Sequence, residues 1–155
     1  MAQIQLDRID RRILDALQHD ATASAADIAA KVGVAAATCW RRISRLEEAG
    51  VIKRRVAILD RAAVGLNVMI FANVKLTTQG RDAITKFDQA VRKHPEVLEC
   101  YVMMGEWDFL LRIVAKDIHA YEQFFLDHLS KLPNVQSITS SIALTEVKQT
   151  TVLPL

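Results

Sequence analysis

The spacing of apolar residues stops being purely helical close to residue 50. Before that point the period is helical. Leu6, Ile9, Ile13 and Leu17 recur at three- and four-residue intervals and predict an amphipathic helix, with Asp7 as its N-cap and Asp10 three positions on. Ser24 caps a predicted short helix whose inward face is Ile28 and Val32, and Gly33 then supplies a turn residue free to take positive φ. A longer helix is predicted from about Ala36 to Ala49, stopped by Gly50. A helix, a short helix, a tight turn and a longer helix make up a helix-turn-helix arrangement.

From Val51 the pattern is extended. Residues 51–59 read as a run leading from the helical domain into a second one. Residues 66–76 then alternate, with Leu66, Val68, Ile70, Ala72, Val74 and Leu76 on one side and Asn67, Met69, Phe71, Asn73 and Lys75 on the other. A helix over 80–94, with Ile84, Phe87 and Val91 inward, ends before Pro95. Strands over 97–104 and 108–115 follow, joined through Gly105, Glu106 and Trp107. A second helix, 118–132, carries Tyr121, Phe124, Phe125, Leu129 and Leu132 and stops before Pro133, and a last strand covers 135–147. The order βαββαβ is the ferredoxin-like unit. The class is α+β, with a helix-turn-helix domain at 1–52, an extended linker at 53–65 and a ferredoxin-like domain at 66–155. Helices in this topology cover one face of the sheet, yet Met69, Phe71, Tyr101 and Met103 fall on the other. An apolar second face needs a second layer, and another copy of the chain would supply it, so a homodimer is expected.

Composition narrows the setting. At 155 residues the chain can hold one domain or two small ones. The longest apolar run, Leu66 to Val74, is interrupted by Asn67 and Asn73 and is too short for a bilayer, and no signal segment opens the chain. A cytoplasmic protein with no membrane partner is expected. Cys39 and Cys100 form no CxxC pair and are expected to be reduced, buried thiols. Net charge is only +2, but residues 31–55 hold seven cations against Glu47 and Glu48, whereas residues 61–155 balance ten against ten. A basic patch on a neutral body points to an anionic partner there, phosphates first.

On a helix over 36–47, Ala36, Cys39, Ile43 and Leu46 fall on one side, Thr38, Arg41 and Arg45 on the opposite one, and Arg42 at the edge. An anchored helix with outward guanidinium groups can fork onto phosphates or guanine edges in a major groove. Lys53, Arg54 and Arg55 follow where flanking phosphates would lie. Double-stranded DNA is the expected partner, contacted by Thr38, Arg41, Arg42, Arg45, Lys53, Arg54 and Arg55. Trp40, at the boundary of the buried stripe, is predicted to pack. The four histidines are scattered, His119 and Glu122 form only an i, i+3 pair, and no nucleophile-elbow, zinc-protease or phosphate-loop motif occurs. No catalytic residue, metal site or cofactor is expected.

These residues resemble the Lrp/AsnC family of feast/famine regulators over nearly the whole chain. LDRIDRRILDALQHD (6–20) is similar to the family's opening helix, VGVAAATCWRRISRLEEAGVI (32–52) to its recognition helix and exit strand, MGEWDFLLRI (104–113) to its Gly-x-x-Asp loop, and EVKQTTVLPL (146–155) to the tail of many members. The resemblance implies a winged helix-turn-helix, a transcriptional regulator, and a second domain that takes a small effector, typically an amino acid, at subunit contacts. It also implies assembly beyond the dimer, such as an octamer. On the matching positions, backbone N–H groups around Gly105 would receive a carboxylate and Asp108 an ammonium. Glu106 and Trp107 would border the pocket, and Thr139, Ser140 and Ser141 would offer hydroxyls. A plain hairpin glycine at 105 and a turn cap at 108 are the structural alternatives.

The chain also departs from the family pattern. Ala35-Ala36-Ala37-Thr38 stands where members commonly carry Ser-Pro-x-Pro, and Ala21 stands where a glycine usually follows the first helix. Two other functions fit parts of the pattern: an architectural DNA binder that needs no ligand, and an enzyme like the sirohaem decarboxylases, against which the basic helix argues.

Overall fold

The computed structural model describes every residue except 1–3 and 79, so the first residues of the expected 1–52 domain lie outside it. The elements are α1 (Arg8–His19), α2 (Ala25–Val32), α3 (Ala36–Glu48), β1 (Val68–Leu76), α4 (Arg81–Val91), β2 (Val97–Val102), β3 (Phe109–Ala115), α5 (Ile118–Asp127) and β4 (Val135–Ile142), with a 3-10 turn at Leu129–Lys131. They form two units, one made of the chain up to Ile58 with Lys148–Leu155, the other of Leu59–Val147. The tail therefore groups with the helices, where the sequence pattern put it with the sheet. The reason is local: the Gln18 amide donates to the Leu153 carbonyl at 3.1 Å and accepts from its N–H at 2.6 Å.

The helical unit closes on Ile13, Leu17, Ile28, Ala29, Val32, Cys39 and Ile43. Its first two helices begin with reciprocal caps, Asp7 with Asp10 and Ser24 with Asp27, each satisfying two N–H groups that a helix start leaves without partners. Gly33 ends α2 in the left-handed region at φ 75°, where a Cβ would be strained, and lets the chain turn into α3. After α1, Asp20 stays extended and its carboxylate accepts the N–H and hydroxyl of Thr22 at 2.9 and 2.6 Å. By contrast, α3 starts at Ala35 with no side-chain cap. Residues 51–59 run on without joining a strand ladder.

The second unit is a four-stranded antiparallel sheet in the order β2-β3-β1-β4, the ferredoxin-like arrangement. One face carries Ile70, Ala72, Val74, Phe109, Leu111 and Ile113, which pack with Phe87 and Val91 of α4 and Tyr121 and Phe124 of α5. Phe87 stacks on Phe109 with ring centroids 4.2 Å apart. On the opposite face Phe71, Tyr101 and Met103 are exposed, as the alternation required, but Met69 is buried. Two elements end earlier than expected. The backbone of His128 leaves helical geometry and the 3-10 turn then carries Leu129 inward, and β4 stops at Ile142 rather than 147. Cys39 is buried and Cys100 half-buried, both as free thiols. Burial, with Asp88 adding to it, pushes the Cys100 thiol up to about 11. No helix among the described residues is long and apolar enough to cross a membrane.

Candidate nucleic-acid interface

The outward surface of α3 depends on a carboxylate beneath it. Asp10, on α1, is 1% exposed. Its Oδ1 accepts from Arg42 Nη1 at 2.8 Å, and its Oδ2 accepts from Arg45 Nη2 at 2.7 Å and from the Asp7 N–H at 3.1 Å. The same Nη1 of Arg42 donates to Asp7 Oδ2 at 2.7 Å. A buried carboxylate survives only when paired and hydrogen-bonded, and here two guanidinium groups and a backbone amide do both. The Asp10 N–H and the Arg42 guanidinium hold the Asp7 carboxyl below the usual carboxylate range. Three ion pairs thus tie α3 to α1 and its N-cap through Arg42 and Arg45, which are one turn apart.

This clamp sorts the expected contact residues. Arg42 points inward and both carboxylates occupy it, with its side chain 23% exposed. Arg45 is half-exposed, one nitrogen on Asp10 and the rest of its fork outward. Arg41 is exposed and makes no ion pair among the described residues, and Thr38 is half-buried. Lys53 and Arg54 are exposed just past the helix, whereas Arg55 donates to Glu47 at 3.0 Å and to the Ala21 carbonyl at 3.3 Å. Trp40 differs from expectation. It is not buried: the residue is 64% exposed, on the flank of α3 away from the clamp.

In the second unit, the expected effector residues separate. The loop between β2 and β3 is closed by the Met103 N–H donating to the Asp108 carbonyl at 2.9 Å. Gly105 has φ 144°, a conformation that side-chain-bearing residues rarely adopt. The Glu106 carbonyl accepts from Lys75 Nζ. Trp107 is half-buried. Asp108 Oδ2 accepts the Leu76 N–H at 2.8 Å, next to the bulge between Lys75 and Leu76, so this carboxylate caps a strand irregularity. On β4, Thr139 and Ser141 pair with Asn73 and Phe71 on the open face, across β1 from the loop. Ser140 points the other way, 2.5 Å from the Tyr121 hydroxyl under the helices.

Two features are not legible in the sequence. Asp10 reads there only as a capping partner, and its role beneath α3 joins residues more than thirty positions apart. Periodicity carries no such signal; a charged residue in a stripe otherwise apolar was the available hint. The second is a Glu99–Arg112 ion pair on the open sheet face, with the Tyr101 hydroxyl donating to Glu99 at 3.0 Å.

Known proteins share this architecture. Residues 6–53 match a winged helix-turn-helix DNA-binding domain and residues 69–153 the Lrp/AsnC ligand binding domain. The chain is 38% identical over 151 residues to the glutamate uptake regulatory protein of Zymomonas mobilis, covering 97% of this chain and 92% of that one. It superposes with a TM-score of 0.91 on an AsnC family transcriptional regulator from Agrobacterium tumefaciens, 42% identical over 96% of each chain. The transcriptional regulator NMB0573 of Neisseria meningitidis, solved in complex with L-Met, matches with a TM-score of 0.91 and 36% identity over 97% of each chain.

Proposed function

This chain belongs to the Lrp/AsnC family of DNA-binding transcriptional regulators, and on that premise we propose how it reads DNA and what it senses. Residues 1–52 bind the duplex, 53–65 link, and 66–155 take the effector and drive assembly in the cytoplasm, with the tail returning to the helical unit. Thr38, Arg41 and the outward half of Arg45 face the major groove, while Lys53, Arg54 and Arg55 neutralise flanking phosphates. Arg42 holds α3 in place through Asp10 and Asp7. The observation that carries this reading is the exposed Arg41 on a helix pinned from beneath by a buried carboxylate.

Two copies associate through the open sheet face and present two helix-turn-helix units to half-sites about one helical turn apart, or a multiple of it. These dimers assemble further, into a particle such as an octamer. The effector is an amino acid, the class seen bound to the Neisseria regulator. Backbone N–H groups near Gly105 receive its carboxylate, with Glu106, Trp107, Asp108, Thr139 and Ser141 around a pocket that a second copy completes. The ligand changes DNA binding by favouring one assembly over another.

Anisotropy titrations of a labelled duplex against salt test the DNA half. Each phosphate contact contributes about 0.9 to the slope of log affinity on log salt, so Arg54→Ala should lower the slope by about one unit, whereas Arg41→Ala should cost about 1–3 kcal/mol of affinity for a preferred duplex and relax its base preference. An Arg41→Ala protein with wild-type affinity and preference would remove Arg41 from the interface. A melting screen against the twenty amino acids tests the sensor half. A ligand at a hundred times its Kd stabilises the native state by about 2.7 kcal/mol. No shift with any amino acid would favour a ligand-independent architectural protein, the reading to which the Asp108–Leu76 bond lends weight.

A further inference from the structure

Trp40 is a large aromatic residue left in solvent on the one helix that faces DNA. It is 64% exposed and makes no ring contact with another aromatic among the described residues. On α3 the buried residues Cys39, Ile43 and Leu46 define the inner side. At 100° per residue, Ala37 and Arg41 lie opposite them, Arg45 on the flank that meets Asp10, and Trp40 on the other flank. Glu47, seven residues on, shares the Trp40 flank, and Arg55 of the basic exit run donates to it. The flank that carries the ring therefore adjoins the outward Arg41 and holds the Glu47–Arg55 ion pair about two turns along. Around the ring, Ala36 and Ala37 are exposed and too small to shield it.

The charge of this surface commits its partner to an anion, but the indole carries no charge and offers one N–H donor. Of the groups a major groove presents, only the thymine C5-methyl is an apolar projection; the rest are donors and acceptors. The second turn of a recognition helix is within reach of base edges. We propose that Trp40 is a specificity-determining residue that packs its ring against a thymine C5-methyl in each half-site. It contributes to binding of particular sequences and not to general affinity for DNA. This rests on the DNA-reading surface proposed above.

The test uses the full chain. Duplexes selected from a random pool by the wild-type protein are resynthesised with each thymine replaced in turn by deoxyuridine, which removes only the methyl. At one thymine per half-site the wild type should lose about fourfold in affinity, the worth of one buried methyl-sized group. Trp40→Ala should bind the thymine and uracil duplexes equally, with a salt slope equal to wild type, because no phosphate contact is lost. Trp40→Phe, which keeps an apolar ring, should retain the methyl preference. A wild type indifferent to every thymine-to-uracil change overturns the proposal without recourse to any variant, as does a Trp40→Ala protein that keeps the full methyl preference. A wild type that binds no duplex even in dilute salt sinks the reading surface itself, which is a different failure.

Discussion

A carboxylate taken out of water costs several kcal/mol unless its partners replace the lost hydration. Asp10 has three such partners, and the unequal exposure of its two arginines says what each contributes. Arg42→Ala leaves Asp10 buried with Arg45 and one backbone amide. It should destabilise the helical unit by about 3 kcal/mol, the low end for stripping a partner from a buried charge, read as a shifted denaturant midpoint. Arg41→Ala should leave that midpoint within about 0.5 kcal/mol, as surface changes do, while weakening DNA binding. If Arg42→Ala left stability intact and reduced the salt slope as Arg54→Ala does, Arg42 would be a phosphate contact after all. Helical periodicity put Arg41 outward and Arg42 at the edge. It could not show which way an edge residue turns, because that depends on Asp10, 32 positions away.

The helix starts of this unit were legible because their signal is local. Asp7 and Ser24 lie where the apolar stripe begins, and both cap as their residue types require. Hydrogen bonds to the N–H groups and side chains they cap hold Asp7, Asp20 and Asp27 below the usual carboxylate range. Such groups stabilise the fold at pH values above the unfolded carboxylate range, and the contribution is lost as pH falls through the lower folded value. Melting temperature should therefore drop as the pH falls below about 4, and Asp7→Asn with Asp27→Asn should flatten that acid limb. A limb unchanged in the double variant would place the acid sensitivity elsewhere. The start of α3 offers the converse case, since Ala35 has extended geometry and no cap bond. Ala35→Ser should add about 1 kcal/mol to the stability of the helical unit by supplying one. Ends were harder to read than starts. Apolar residues continue through Leu132 and through Val147, but the 3-10 turn takes over α5 and β1 offers the last strand few partners beyond Ile142.

At the scale of the molecule, alternation in β1 was enough to reveal a sheet with two apolar faces, since a period of two is unambiguous where both registers are occupied. What it could not tell is how much of the second face one copy buries for itself: Met69 is covered, Phe71 is 36% exposed and Tyr101 is 52% exposed. Nor could it separate Ser140, turned under the helices, from Thr139 and Ser141, because adjacent hydroxyls look alike until the register is known. If the open face is the dimer contact, a charge at its centre must disrupt it, because an unpaired carboxylate in an apolar interface has no compensating partner. Phe71→Glu, whose position in the free monomer is already wet, should fold normally and sediment as a monomer at concentrations where wild type is dimeric. Its affinity for a single half-site should be unchanged. On a duplex with two half-sites it should fall by about 100-fold or more, the loss expected when two linked contacts become one. A Phe71→Glu protein that stays dimeric would move the contact off this face. A monomer that still gripped the paired site with wild-type affinity would show that each helix-turn-helix unit acts alone.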